Sequence, residues 1–207
     1  MSSRVAVGFR AKTGWAAVVL LESTKDGPHV LDSRRIELCD PANPDSRQPY
    51  HAGFGTFNQD DVEVKRLVRG VRGFAARSMK RLLDGYGKEN QAPRAGAVVA
   101  GSDIDPARIA NLHMRAHALE GRLYRDVVEE GLAAAGLGCE LLLERDLYER
   151  AADRLVLSEN ALKKAVAELG RGVDGGWRAE SKAAALAAWL VLAPSRSRAR
   201  VKRPDVT

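Results

Sequence analysis

His113, His117 and Glu120 form the densest set of reactive side chains in the sequence. Their spacing, i, i+4 and i+7, puts all three on one face of a helix. Two imidazole nitrogens four residues apart can share a metal ion, and a carboxylate one turn on can complete three ligands. The same row suits proton transfer between imidazole and carboxylate, and Tyr124 extends it. The plainer alternative is a solvent-side polar row closed by a His–Glu hydrogen bond, since no H-E-x-x-H motif is present. The expectation is therefore no metal and no cofactor, with His113, His117 and Glu120 as the set to hold an ion if one binds.

A second group lies in residues 40–60. There Pro41, Pro44, Pro49, Gly53 and Gly55 surround Arg47, Gln48, Tyr50 and His51. A loop this long inside a compact domain is functional or disordered, and functional groups often sit on loops carried by a rigid scaffold. One reading is a lid that packs Tyr50, Phe54 and Phe57 on the body. The other folds the loop toward the helix, so that His51 and Arg47 meet His117 and Glu120 in an acid–base and anion-binding pocket. Asp103 and Asp105 follow the central strand, and Asp103 joins Arg47, Gln48, Tyr50 and Tyr124 as candidate ligand-binding residues.

The elements that must position these groups follow from periodicity. Residues 4–8, 15–22 and 29–39 read as three strands joined by turns, an antiparallel meander. Residues 61–86 carry an apolar stripe of helical period from Val64 to Leu82, with Gly85 and Gly87 as the stop. Ala95 to Gly101 is apolar on both faces, as a central strand covered by helices should be. Asp105 and Pro106 read as N-cap and first residue of a helix running to about Ala135, with Ile109, Leu112, Ala116, Leu119, Leu123 and Val127 buried. Residues 139–143 form a last strand. Helices follow at 147–155, from Ser158 to Leu169, and at 178–193, the last apolar on nearly all sides and so pressed on a sheet. The order is an α/β mixed sheet, a three-strand antiparallel meander plus parallel strands, with helices on both faces. Residues 1–194 read as one domain and 195–207 as a basic disordered tail.

This order is that of the ribonuclease H-like fold. Thr13-Gly14-Trp15-Ala16-Ala17-Val18-Val19 resembles the opening of the crossover-junction resolvase family. Ala118 to Leu142, ending GLGCELL, resembles that family's helix before its final strand, and Leu162 to Lys182 resembles its VKKAV…GRG segment. The resemblance implies two divalent metals held by carboxylates, one of them on the first strand. Here Val5 to Thr13 and Ala95 to Gly101 contain no Asp or Glu, and Ser, Lys or Ala stand at the positions of the last helix that should be acidic. Asp103, Asp105 and Glu180 do not assemble a two-metal nuclease. By topology alone the order also resembles the middle domain of the eukaryotic-type peptide-release-factor family, whose Gly-Gly-Gln loop stands where residues 40–60 do; no Gly-Gly precedes Gln48.

The net charge is +6, but residues 196–207 hold five basic side chains against one acidic, which leaves +2 for the rest. Arg196, Arg198 and Arg200 are thus candidates for non-specific nucleic-acid affinity. Arg66, Arg69, Arg77, Lys80 and Arg81 on the 61–86 helix could follow a phosphate backbone or form a solvated face. No phosphate-binding glycine loop and no G-x-S-x-G occurs. Two cysteines outside metal spacing and no apolar run of membrane length point to a cytoplasmic protein, and richness in Ala, Arg and Gly fits a GC-rich bacterial genome. The expected role is a non-nuclease binding module for structured nucleic acid, DNA or RNA, or a ribonucleoprotein. The alternatives are a hydrolase or transferase using His113, His117, Glu120 and residues 47–51, or a structural homo-oligomer.

Overall fold

In the computed structural model, residues 4–53 and 55–193 are described. Strands β1 (Arg4–Lys12), β2 (Trp15–Thr24) and β3 (Gly27–Glu37) form the meander; β4 (Ala95–Ala100) and β5 (Cys139–Leu143) complete the sheet. The order is β3-β2-β1-β4-β5. β1 pairs antiparallel with β2 and parallel with β4, and β4 parallel with β5. This is the mixed sheet implied by the resolvase resemblance. The helices are α1 (Asp61–Lys88), α2 (Leu112–Ala134), α3 (Leu147–Leu155), α4 (Glu159–Leu169) and α5 (Ala179–Leu192).

Alternation along β1 divides the core. Val5, Val7, Phe9 and Ala11 face α1 and α2, in a cluster with Val71, Met79, Leu123 and Val127. Ala6 faces α5, beside Ala184, Ala185 and Ala188. On that side the helix lies so close that a Cβ on Gly8 would stand 1.9 Å from the Ala184 carbonyl oxygen. Only glycine permits this approach. α5 is accordingly alanine-rich and buried from Ala183 to Ala188.

Three boundaries differ from the sequence expectation. β1 continues to Lys12, so the hairpin turn is only Thr13-Gly14, with Gly14 at φ +87°. Gly85 and Gly87 lie inside α1; the chain leaves the helix at Asn90, which takes φ 58°. The long helix from Pro106 does not exist as one piece. Asp105 caps a single 3-10 turn, Pro106–Arg108, and Ile109 is extended, at ψ 112°. α2 starts afresh at Leu112 with Asn111 as cap, its side-chain oxygen accepting from the Met114 N–H. Two good caps six residues apart compete, and the second begins the long helix. Leu112, expected in the core, is consequently 44% exposed.

Phe54 and the whole stretch 194–207, with Arg196, Arg198 and Arg200, lie outside the described residues. No helix among the described residues is long and apolar enough to cross a membrane.

Candidate functional site

The 40–60 loop comes to rest on α2. The buried Tyr124 hydroxyl donates to the carbonyls of Ser46, at 3.1 Å, and Arg47, at 2.8 Å. Pro49 is buried, and Tyr50 packs on the core beside α1 and α2. Backbone bonds from Ala52 to Thr56 and from Asn58 to Tyr50 close the loop tip, with His51 paired opposite Phe57. Part of each reading of the loop is present: Tyr50 packs on the core, and His51 reaches Glu120, while Arg47 does not join them and Phe54 lies outside the described residues.

His51 Nδ1 lies 2.7 Å from Glu120 Oε1, and its Nε2 lies 3.4 Å from His113 Nδ1. His113 Nε2 is 3.1 Å from His117 Nε2. The row that reads as solvent-side in the sequence dives into the protein along α2. His113 is exposed and the His117 side chain is 47% exposed, whereas Glu120 and Tyr124 are buried. Burial raises the Glu120 pKa above the ordinary carboxylate value, and His51 pulls it back. Its Oε2 is buried without a hydrogen-bond partner, 3.9 Å from His117 Nδ1. The His117 pKa is lowered, first by burial and then by His51 and His113. A carboxylate that fixes one imidazole tautomer and leaves the far nitrogen's lone pair aimed at two more imidazoles can relay protons or bind a cation.

A cleft of about 460 Å³ adjoins this cluster at the carboxyl ends of β1 and β4, lined by Arg10, Lys12, Asp103, His117, Arg122 and Arg125 among others. Arg10 is buried. Its guanidinium donates to the carbonyls of Ala11, at 2.7 Å, and Val99, at 3.3 Å, and pairs with Glu144 at the end of β5 at 2.5 Å. Arg125, also buried, pairs with Asp103 and, at 3.2 Å, with Asp126. Lys12 and Arg122 are held loosely, each 3.9 Å from its acidic partner, Glu180 and Asp126 respectively.

The sequence candidates thus separate. His51, His113, His117 and Glu120 come together. Arg47 contributes its backbone carbonyl, but its side chain packs over Gly14, away from the cluster. Gln48 is exposed. Asp103 belongs to the cleft through Arg125. On α1, Arg66 pairs with Glu63 at 2.7 Å, Lys80 with Asp84 at 2.6 Å, and Arg77 stacks on Phe74, while Arg69 and Arg81 are exposed. Glu144, in the charged segment Glu144-Arg145-Asp146 that could border a site, is drawn in by Arg10; Arg10, Lys12, Arg122 and Arg125 carry no motif that marks them as binding residues. The one sequence signal for Arg10 was a charge inside an otherwise apolar strand. The resolvase resemblance implies carboxylate-held divalent metals, and the residues here do not fit them. β1 carries a buried guanidinium at its carboxyl end, Glu144 is taken by it, and a cation there repels a second one in a low-dielectric site.

No protein-family model matches the sequence, and no curated protein matches it. Solved structures do. The chain is similar to the Thermus thermophilus RuvC structure at 14% identity and TM-score 0.52, covering 90% of this chain and 92% of that one. It is similar at 12% identity and TM-score 0.52 to T. thermophilus RuvC in complex with Holliday junction substrate, covering 90% and 91%. These likenesses show the fold: the ribonuclease H-like architecture of the resolvases.

Proposed function

We propose that this chain is a nucleic-acid-binding module that holds a phosphodiester backbone in the cleft at the carboxyl ends of β1 and β4 and does not cut it by a two-metal route. The observation that carries the reading is the division of labour among the cleft's cations. Arg10 and Arg125 are buried and engaged, and they shape the floor. Lys12 and Arg122 are 41% and 56% exposed and only loosely paired. Such pairs contribute little on their own, so both cations are free to exchange a carboxylate for a phosphate oxygen. Ile104, 60% exposed at the cleft's edge, offers an apolar surface to a sugar or base. The complex of the similar T. thermophilus RuvC with a Holliday junction supports structured DNA as the first substrate to try.

The test is fluorescence anisotropy with a four-way junction, a linear duplex and a single strand, titrated across salt. Binding to the junction at about 50 mM salt is expected, and each lost phosphate contact removes roughly 0.9 from the log–log salt slope. Lys12→Glu with Arg122→Glu should weaken binding about tenfold or more and flatten that slope by about 2. No binding at low salt sinks the proposal. Magnesium-dependent cleavage of the junction sinks its second half.

A further inference from the structure

We propose that His51, His113 and His117 form a binding site for one divalent transition-metal ion of the zinc class, with Glu120 as the carboxylate that orients His51 from behind. The inference stands independently of the nucleic-acid reading. One ligand nitrogen from each ring lies within 4.8 Å of the others. Around a tetrahedral ion with bonds of ~2.0–2.1 Å, neighbouring ligand nitrogens stand about 3.3 Å apart. His51 Nε2 lies 3.4 Å from His113 Nδ1 and His117 Nε2 3.1 Å from His113 Nε2, each near that value, although a single ion can take only one of the two His113 nitrogens. His113 faces its neighbours with both nitrogens. It is exposed, so the ring can turn to commit one of them.

The tautomers favour the same assignment. His51 Nδ1 is engaged by Glu120 Oε1 at 2.7 Å, which leaves Nε2 as the ligand atom. His117 has Nδ1 on the Glu120 side, 3.9 Å from Oε2, and Nε2 on the cluster side. A buried carboxylate backing an imidazole that presents its other nitrogen is the arrangement that raises ligand basicity at metal sites. Glu120 Oε2 is the buried side-chain oxygen that, among the described residues, lacks a partner. Buried orphans of this kind call for a reason, and the His117 Nδ1 stands 3.9 Å from this oxygen. Three neutral imidazoles select first-row transition ions over magnesium or calcium, which prefer oxygen. With three protein ligands the ion keeps an exchangeable position. His117 also lines the 460 Å³ cleft, so the ion sits at its rim.

The site further ties the 40–60 loop, through His51, to two residues of α2. Metal binding should therefore be read in the loop as well as in the ion. Tag-free protein is titrated with Zn²⁺ by calorimetry and with Co²⁺ by visible absorption. One equivalent is expected, with a tetrahedral cobalt band. His113→Ala is the decisive variant, because the side chain is exposed and its loss leaves the core intact. It should weaken Zn²⁺ at least about 100-fold, and Glu120→Gln by about 10–100-fold. Zn²⁺ should slow amide exchange at residues 48–58 in the wild type and not in His113→Ala. Absence of stoichiometric Zn²⁺ and Co²⁺ binding overturns the proposal. So does binding that His113→Ala leaves unchanged.

Discussion

The two faces of the sheet are built on opposite terms. Beneath α5 the closest approach is Gly8 against Ala184 and Ala188, small residues that let helix and strand meet. Arg10, two residues after Gly8 on β1, has its donors engaged by Ala11, Val99 and Glu144. Beneath α2 the helix carries a polar row into the core and meets a loop there, and one carboxylate oxygen remains unpartnered. A polar group with every partner in place is structural. A half-satisfied one calls for a reason, and the proposed ion beside His117 supplies it.

The comparison breaks first at Gly8. Gly8→Ala should destabilise the fold by about 3 kcal/mol or more, because the obstacle is the α5 backbone, which cannot rotate aside as a side chain can. A midpoint shift in urea unfolding below about 1 kcal/mol would show that α5 slides on the sheet. Next is Tyr124→Phe, which removes the donor holding Ser46 and Arg47. The expected loss is about 1–2 kcal/mol, read by the same unfolding, with faster proteolysis confined to residues 40–58. If the loop is cut no faster, the hydroxyl is not its anchor.

The two ionic centres should respond differently to apolar replacement. His51→Phe with Glu120→Leu removes a half-satisfied buried pair, so stability should stay level or rise by about 1 kcal/mol while Zn²⁺ binding disappears. Arg10→Met with Glu144→Leu removes a satisfied pair and also the donor to the Ala11 and Val99 carbonyls, so stability should fall by about 1–3 kcal/mol with Zn²⁺ binding unchanged. A large loss of stability in the first pair and none in the second would reverse the assignment of roles. The smallest expected effect concerns the Cys139 thiol. Burial lifts its pKa from 9.0 to about 12. The unfolded thiol ionises first, so its contribution to stability is present below pH 9 and is lost as pH rises from there toward 12. At pH 8 it should react with a thiol reagent far more slowly than in the urea-unfolded chain.

Element order and the meander were legible in the sequence because alternation and apolar runs report burial on a sheet directly. α4's start at Ser158, whose oxygen accepts from Ala161, was legible from its capping chemistry. The start of α2 was not, since Asp105 and Asn111 are both good caps and only packing chose between them. For the candidate site, residue types narrowed the choice to His51, His113, His117 and Glu120. Their arrangement did not follow from spacing. Spacing put Glu120 among the ligands, whereas its carboxylate lies behind His51, and the third imidazole comes from 62 residues before His113. Nor could it reveal that a guanidinium ends β1 in partnership with Glu144, 134 residues away.

What the sequence by itself determined is therefore the set of local facts: where strands alternate, where helices are amphipathic, which strands carry no carboxylate. What only the tertiary structure decided is which polar residues are buried and with whom. Helical periodicity fixes which residues of α2 share a face. It is silent on whether that face meets water or the Tyr50 loop. That depends on where Tyr124 pins residues 46 and 47, and so on whether His51 arrives.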